Sequence, residues 1–123
     1  MKPKIKVTER MVQTTDGSRE LRYYTSVDHG CHIEKQEFLD RLRDQYGIPV
    51  VHTLAVLEAL QQVLKNDIGR GNIVEVPYLG LFKLQLRAKT VKNADEAGRQ
   101  AVSRFKVNFL PCKEFSRHFS KND

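Results

Sequence analysis

Residues 77–111 read PYLGLFKLQLRAKTVKNADEAGRQAVSRFKVNFLP, and this stretch decides the fold. A turn at 77–80 precedes two alternating runs, 82–89 and 104–109, which a polar tip at 93–99 separates. Because strand side chains alternate between faces, each run has one apolar and one polar side. The polar positions are Lys83, Gln85, Arg87 and Lys89, then Arg104, Lys106 and Asn108. The pattern predicts a long β-hairpin with a cationic face, which would suit a polyanion.

The positive charge of the chain is concentrated in and after this hairpin. Residues 1–82 contain 11 Lys/Arg and 11 Asp/Glu, whereas residues 83–121 contain 10 Lys/Arg and 3 Asp/Glu. The formal net charge of +6 therefore comes from the second part of the chain. A basic excess confined to one element favours a polyanionic partner. The alternative is a charged surface that only maintains solubility.

Length and composition are those of an ordinary globular domain. The chain has 123 residues, of which 40% are hydrophobic and 29% charged. No apolar run reaches the ~18 residues that a membrane-spanning helix needs. The basic start at residues 1–4 is not followed by the apolar stretch of a secretory signal, so we expect a cytoplasmic protein. Two cysteines, Cys31 and Cys112, fit a reducing compartment.

The first 30 residues are interpreted as an extension to a main domain at residues 31–123. Extended runs at 4–12 and 20–27 flank a turn signal at 14–18, which predicts a β-hairpin. Pairing with the main sheet, or covering one of its edge strands, is its simplest structural role. The loop after it contains His29, Cys31 and His32, but no second His/Cys pair has the spacing of a zinc site. We therefore expect no metal.

Two helices are predicted between the hairpins. Apolar residues recur at steps of three and four over 33–46, and Gly47 is expected to end this helix. Pro49 is expected to open a second helix, which Gly69 and Gly71 terminate. A short strand at 72–76 then leads into the long hairpin.

A terminal helix is predicted to start at Pro111. Phe115 and Phe119 would share one face as a core contact. Lys113, Arg117 and Lys121 would face solvent. The order of elements predicts an α+β fold with an antiparallel sheet. Because the helices and the two-sided ribbon offer more apolar surface than one chain buries readily, we expect a homodimer.

Sequence motifs for catalysis are absent. The chain has no Gly-rich phosphate loop, no His-Glu-x-x-His and no Gly-x-Ser-x-Gly. Its four histidines, at positions 29, 32, 52 and 118, lie on different predicted elements. We therefore expect no enzymatic activity, no cofactor and no small-molecule substrate.

Residues 34–120 resemble the bacterial histone-like HU and integration host factor family. Asn72–Phe82 is similar to the family's short strand and Gly-x-Phe turn, and Val107–Phe115 is similar to its Phe-x-Pro-Gly-Lys segment. With the extra N-terminal hairpin, the chain looks like the HU-related group of Bacteroides-type bacteria. The resemblance implies an intertwined homodimer with two N-terminal helices and a C-terminal helix, whose β-ribbon arms reach around duplex DNA.

The resemblance also implies a set of DNA-contacting residues. The arm cations would contact phosphates or the minor groove, and others would extend this footprint onto the body. The set is Lys83, Arg87, Lys89, Lys92, Asn93, Arg99, Arg104, Lys106 and Lys113. Gly80 and Phe82 would be structural.

The tip departs from the family pattern. Family arms carry a proline after an asparagine that wedges between base pairs, but Ala94 follows Asn93 here, and Asp95 and Glu96 add negative charge. Tyr78 and Cys112 also replace family glycines. We expect architectural, sequence-non-specific binding of double-stranded DNA with weak kinking, in a nucleoid-associated protein that condenses the chromosome. The alternative is an HU-like fold reused as a protein-interaction module.

Overall fold

The computed structural model describes residues 2–120 and divides into two units, Met1–Phe38 and Leu39–Asp123. It confirms the α+β class with antiparallel sheets. The elements in chain order are β1 (Ile5–Gln13), β2 (Arg19–Val27), α1 (Lys35–Tyr46), α2 (Val50–Gly69), β3 (Val74–Val76), β4 (Gly80–Ala88), β5 (Val102–Pro111) and α3 (Lys113–Arg117). The boundary expected after residue 30 stays a prediction.

The first unit contains a two-stranded antiparallel sheet. Its register runs from Ile5↔Val27 to Gln13↔Arg19. Asp16 holds the turn, because its Oδ1 accepts hydrogen bonds from the Thr14 hydroxyl and the Ser18 amide, the latter at 3.0 Å. In the described chain, β1 and β2 form a sheet separate from β3–β4–β5. Of the two roles expected for this hairpin, pairing with the main sheet is therefore wrong, and covering an edge strand stays a prediction.

The two helices begin and end where backbone chemistry requires it. Gly47 has φ +70, and the Ile48 amide donates to the Leu42 carbonyl at 3.2 Å, which closes α1 with a Schellman-type cap. Pro49 caps α2 at φ −59 and ψ 142, where its missing N–H costs nothing. Gly71, at φ +86, follows the last turn of α2. None of the helices described for residues 2–120 combines the length and the apolar composition of a membrane span.

The second unit is built on the sheet β3–β4–β5, in which both pairs are antiparallel. The turn before β4 places Tyr78 at φ +67, a left-handed conformation that a side chain adopts at a cost of about 1–2 kcal/mol. Gly80 pairs with Pro111, and the Cys112 amide donates to the Leu79 carbonyl at 2.8 Å. These contacts close the base of the ribbon.

The start of α3 differs from the prediction. Pro111 is the last residue of β5 and not the first of a helix. Cys112 is the N-cap, because its Sγ accepts the Phe115 amide at 3.4 Å. A strand end tolerates proline because no further ladder N–H is needed there. Lys121, expected to face solvent, lies outside the described residues.

The described chain buries little apolar surface by itself. Among residues 2–120, Leu39, Ile68 and Ala101 are the apolar side chains classed as buried. Phe115 and Phe119 contact each other, with ring centroids 5.5 Å apart, but are 41% and 55% exposed. The core contact expected for this pair is therefore absent from the described chain.

An open apolar groove of about 490 Å³ lies within the second unit, between α2 and the sheet. Its apolar lining comes from Leu57, Leu60, Leu64, Ile68, Phe82, Leu84 and Val107.

Candidate nucleic-acid interface

The ribbon β4–β5 separates polar from apolar side chains along its length. On one face, Lys83 pairs with Asn108, Gln85 with Lys106, and Arg87 with Arg104. On the other face, the pairs are Phe82↔Phe109, Leu84↔Val107 and Leu86↔Phe105. The rings of Phe82 and Phe109 are 4.9 Å apart, a distance typical of aromatic contact. The expected two-faced strand pair is confirmed.

A β-bulge preserves this segregation near the tip. The register shifts between Arg87 and Ala88, so that Ala88 pairs with Val102 and Ser103 is the extra residue. Without the bulge, Ala88 would face Ser103, and Val102 would fall on the cationic side. The inserted residue therefore keeps Val102 with the apolar side chains.

The cationic face, which we define as Lys83, Arg87, Arg104 and Lys106, carries charge that the protein does not neutralise. One cleft of about 180 Å³ is lined by Gln85, Arg87, Arg104 and Lys106. Across the described part of the chain, no salt bridge involves any of the four cations. Arg87 and Arg104 lie directly opposite each other, and such like-charge pairs destabilise a sheet by roughly 0.2–1 kcal/mol. An anion bound between them would remove that cost.

Lys89, which the sequence alternation assigns to the cationic side, follows directly after the last residue of β4, Ala88. The extra residue of the bulge belongs to β5, and the Lys89 amide donates to the Ala101 carbonyl at 2.8 Å. Lys89 and Arg99 line a cleft of about 480 Å³ together with Leu86 and Phe105 of the apolar side. The roles of Lys89 and Arg99 as DNA-contacting residues stay predictions.

The tip folds back on itself in two short 3₁₀ turns, Ala94–Glu96 and Arg99–Ala101. The Asn93 side-chain amide donates to Glu96 Oε1 at 3.1 Å, and the Gln100 amide donates to the Asp95 carbonyl at 2.9 Å. Ala101 is buried and its carbonyl accepts the Lys89 amide at 2.8 Å. The tip is thus held by hydrogen bonds among its own residues.

The remaining predicted site residues are more dispersed. Lys92 and Asn93 are exposed in the tip, and Lys113 is exposed in the first turn of α3. Gln85 and Asn108 belong to the polar side of the ribbon but were not among the predicted site residues. The period-two alternation that identifies Arg87 and Lys106 was sufficient to include them.

Fold and site together define an α+β protein with a two-stranded cationic ribbon. A family model described as "HU domain fused to wHTH, Ig, or Glycine-rich motif" matches residues 1–123. The chain therefore belongs to this HU-HIG family, which confirms the HU-like resemblance seen in the sequence. No curated protein matches the chain.

Proposed function

We propose that this protein binds double-stranded DNA without sequence preference through the cationic face of the ribbon. The observation that supports this most is the concentration of Lys83, Arg87, Arg104 and Lys106 on one side of β4–β5 with no acidic partner among residues 2–120. Membership of an HU-like family supports the same role. The protein would act in the cytoplasm on the nucleoid, without catalytic chemistry or a cofactor.

The spacing of these cations suits a phosphate backbone. Residues two apart on a strand are separated by roughly 6.6 Å, whereas duplex DNA carries one negative charge for about every 1.7 Å of its axis. Every ribbon cation can therefore reach a phosphate without a particular base sequence. Affinity then comes mainly from counterion release, and little from base edges.

The tip favours binding without strong kinking. Ala94 is too small to separate stacked base pairs, and it begins a 3₁₀ turn that carries Asp95 and Glu96. The Asn93 amide is already bonded to Glu96. A wedge must be apolar and of substantial volume to repay unstacking, and Ala94 lacks the volume.

Homodimerisation is part of the proposal. The groove between α2 and the sheet is open and almost entirely apolar. Val51, Leu54 and Val56 of α2 are each at least half exposed. A second copy would cover this surface, and such a symmetric pair would present two ribbons to one duplex.

The test is a mobility-shift titration of the full chain on random-sequence duplex at several salt concentrations. Wild type should bind with an affinity that falls as salt rises, and Arg87→Ala should lower the salt slope by about one per ribbon on every sequence. Arg70→Ala removes the same charge at the end of α2 and serves as the matched control. Absence of binding at low salt, or salt-independent binding, would refute the proposal.

The second candidate is a protein-interaction module, which the first unit favours. One face of the β1–β2 sheet is apolar and exposed, with Ile5, Val7 and Tyr23 each more than 60% accessible. Recovery of a defined protein after nuclease treatment, together with failure to bind duplex, would favour this function over DNA binding. Recovery of nucleic acid alone would count against it.

A further inference from the structure

The N-terminal sheet has a basic face that the charge balance of residues 1–82 conceals. Residues 2–27 contain six Lys/Arg and three Asp/Glu, whereas residues 28–82 contain five Lys/Arg and eight Asp/Glu. The positive excess of the hairpin is therefore cancelled, in the sum, by an acidic segment that includes both long helices.

The register of β1 and β2 places the basic residues on one side. Lys6 pairs with Ser26, Thr8 with Tyr24, and Arg10 with Arg22, all on the face opposite the apolar one. Glu9 lies on the apolar face. We define Lys6, Arg10 and Arg22 as the hairpin basic face. Its one acidic residue is Glu20, which pairs with Val12 at the end nearer the turn.

The arginine pair repeats the arrangement in the ribbon. Arg10 lies directly opposite Arg22, as Arg87 lies opposite Arg104. Arg22 donates to Glu20 at 3.2 Å, but both side chains are more than half exposed, and such surface pairs contribute only about 0–1 kcal/mol. This ion pair leaves Arg22 accessible to a competing anion.

The stacking of Arg10 indicates which anion fits. Its guanidinium carbon lies 5.4 Å from the centre of the Tyr24 ring, a cation–π contact that orients a planar set of donors. Such a fork matches the oxygens of a phosphate. Arg10 lies over one side of the ring, and Tyr24 remains 42% exposed. Because the ligand proposed for the ribbon is duplex DNA, the same duplex is the source of phosphate for this face.

We propose that the hairpin basic face is a second surface for the phosphates of duplex DNA, in addition to the ribbon. This inference rests on the proposed function. Residues 28–34 have no regular secondary structure, and seven residues span at most about 25 Å. A site on so short a tether binds intramolecularly once the ribbon is engaged, so even a weak contact increases the overall affinity.

The experiment compares Arg10→Ala with Arg19→Ala in the full-length protein. Arg19 belongs to the same hairpin, but it pairs with Gln13 on the opposite face, so each variant removes one charge. On random-sequence duplex between 50 and 200 mM salt, Arg10→Ala should lower the salt slope by about 0.9 per hairpin. The ratio of the affinity at 50 mM to the affinity at 200 mM salt should then be about 3.5-fold smaller than that of wild type. Arg19→Ala should behave as wild type.

Arg10→Lys distinguishes a loss of charge from a loss of folding. This variant keeps the positive charge, so its salt slope should equal that of wild type. A loss equal to that of Arg10→Ala would overturn the inference by assigning the effect to stacking on Tyr24. If wild type binds DNA and Arg10→Ala and Arg19→Ala both have the wild-type salt slope, the inference about the hairpin is overturned and the proposed function of the ribbon is not. A wild type that does not bind duplex, or that prefers single strands, would overturn the proposed function with it.

Discussion

Replacing Gly80 with alanine should open the base of the ribbon. A Cβ at this position would lie 2.1 Å from the Leu110 carbonyl oxygen, 2.8 Å from Pro111 Cα and 2.9 Å from the Cys112 amide nitrogen. All three are backbone atoms of the paired strand or of the cap that follows it, so no side-chain rotation can make room. The φ of +154 adds strain for any residue with a Cβ.

The expected loss of stability in Gly80→Ala follows from these contacts. Ordinary Cβ contacts begin near 3.4 Å, so β5 must move away by about 1 Å or more. That displacement breaks the bond from the Cys112 amide to the Leu79 carbonyl, and with the backbone strain we expect a loss of about 3–5 kcal/mol in the free energy of unfolding. This loss would be a large part of the free energy of unfolding of a typical domain, which is ~5–15 kcal/mol.

Urea denaturation followed by far-UV circular dichroism measures this loss, with all variants at one protein concentration. Gly71→Ala is the matched control, because Gly71 has φ +86 but a Cβ added there would meet nothing within 4 Å. It should lose only about 1–2 kcal/mol. If Gly80→Ala is no more destabilising than Gly71→Ala, the steric argument fails.

Two further predictions concern the dimer and the first turn. Leu64→Asp puts a charge in the apolar groove and should lower the solution mass toward the 14.2 kDa of the monomer, whereas Gln62→Asp on the same helix should not. Sedimentation equilibrium measures this mass. A wild-type protein that is monomeric at all concentrations would contradict dimerisation. Hydrogen bonds from Thr14 and Ser18 lower the pKa of Asp16 to about 2, so its stabilising effect is complete above the ordinary value of 3.8 and is lost as pH falls toward 2. Hydrogen exchange of hairpin amides in Asp16→Asn should exceed that of wild type at pH 7 and converge with it near pH 2, and a difference independent of pH would contradict this role.

Much of the second unit could be predicted from sequence because its signals are local. Alternation identified both faces of the ribbon, and Gly47 ends α1 at a positive φ, as a helix-terminating glycine should. The start of α3 was missed because proline is compatible with both a helix start and a strand end. The actual cap is a thiol, Cys112, which is not among the usual capping residues.

The structure of the ribbon tip was missed for a different reason. Neither the bulge at Ser103 nor the burial of Ala101 leaves a period in the sequence, so neither could be predicted. The expected burial of Phe115 and Phe119 failed for another reason. The i, i+4 spacing places both rings on one face of the helix but does not show whether another element covers that face.

The bulge separates the strand pairing of the ribbon from the segment that forms its tip. Pairing below it is fixed from Gly80 and Pro111 at the base, so the faces of Lys83 to Arg87 do not depend on the length or composition of the chain between Ala88 and Val102. One-residue insertions or deletions in that segment can be absorbed without turning the charged side chains over. The composition of the tip can therefore vary while the paired strands and their two faces stay the same.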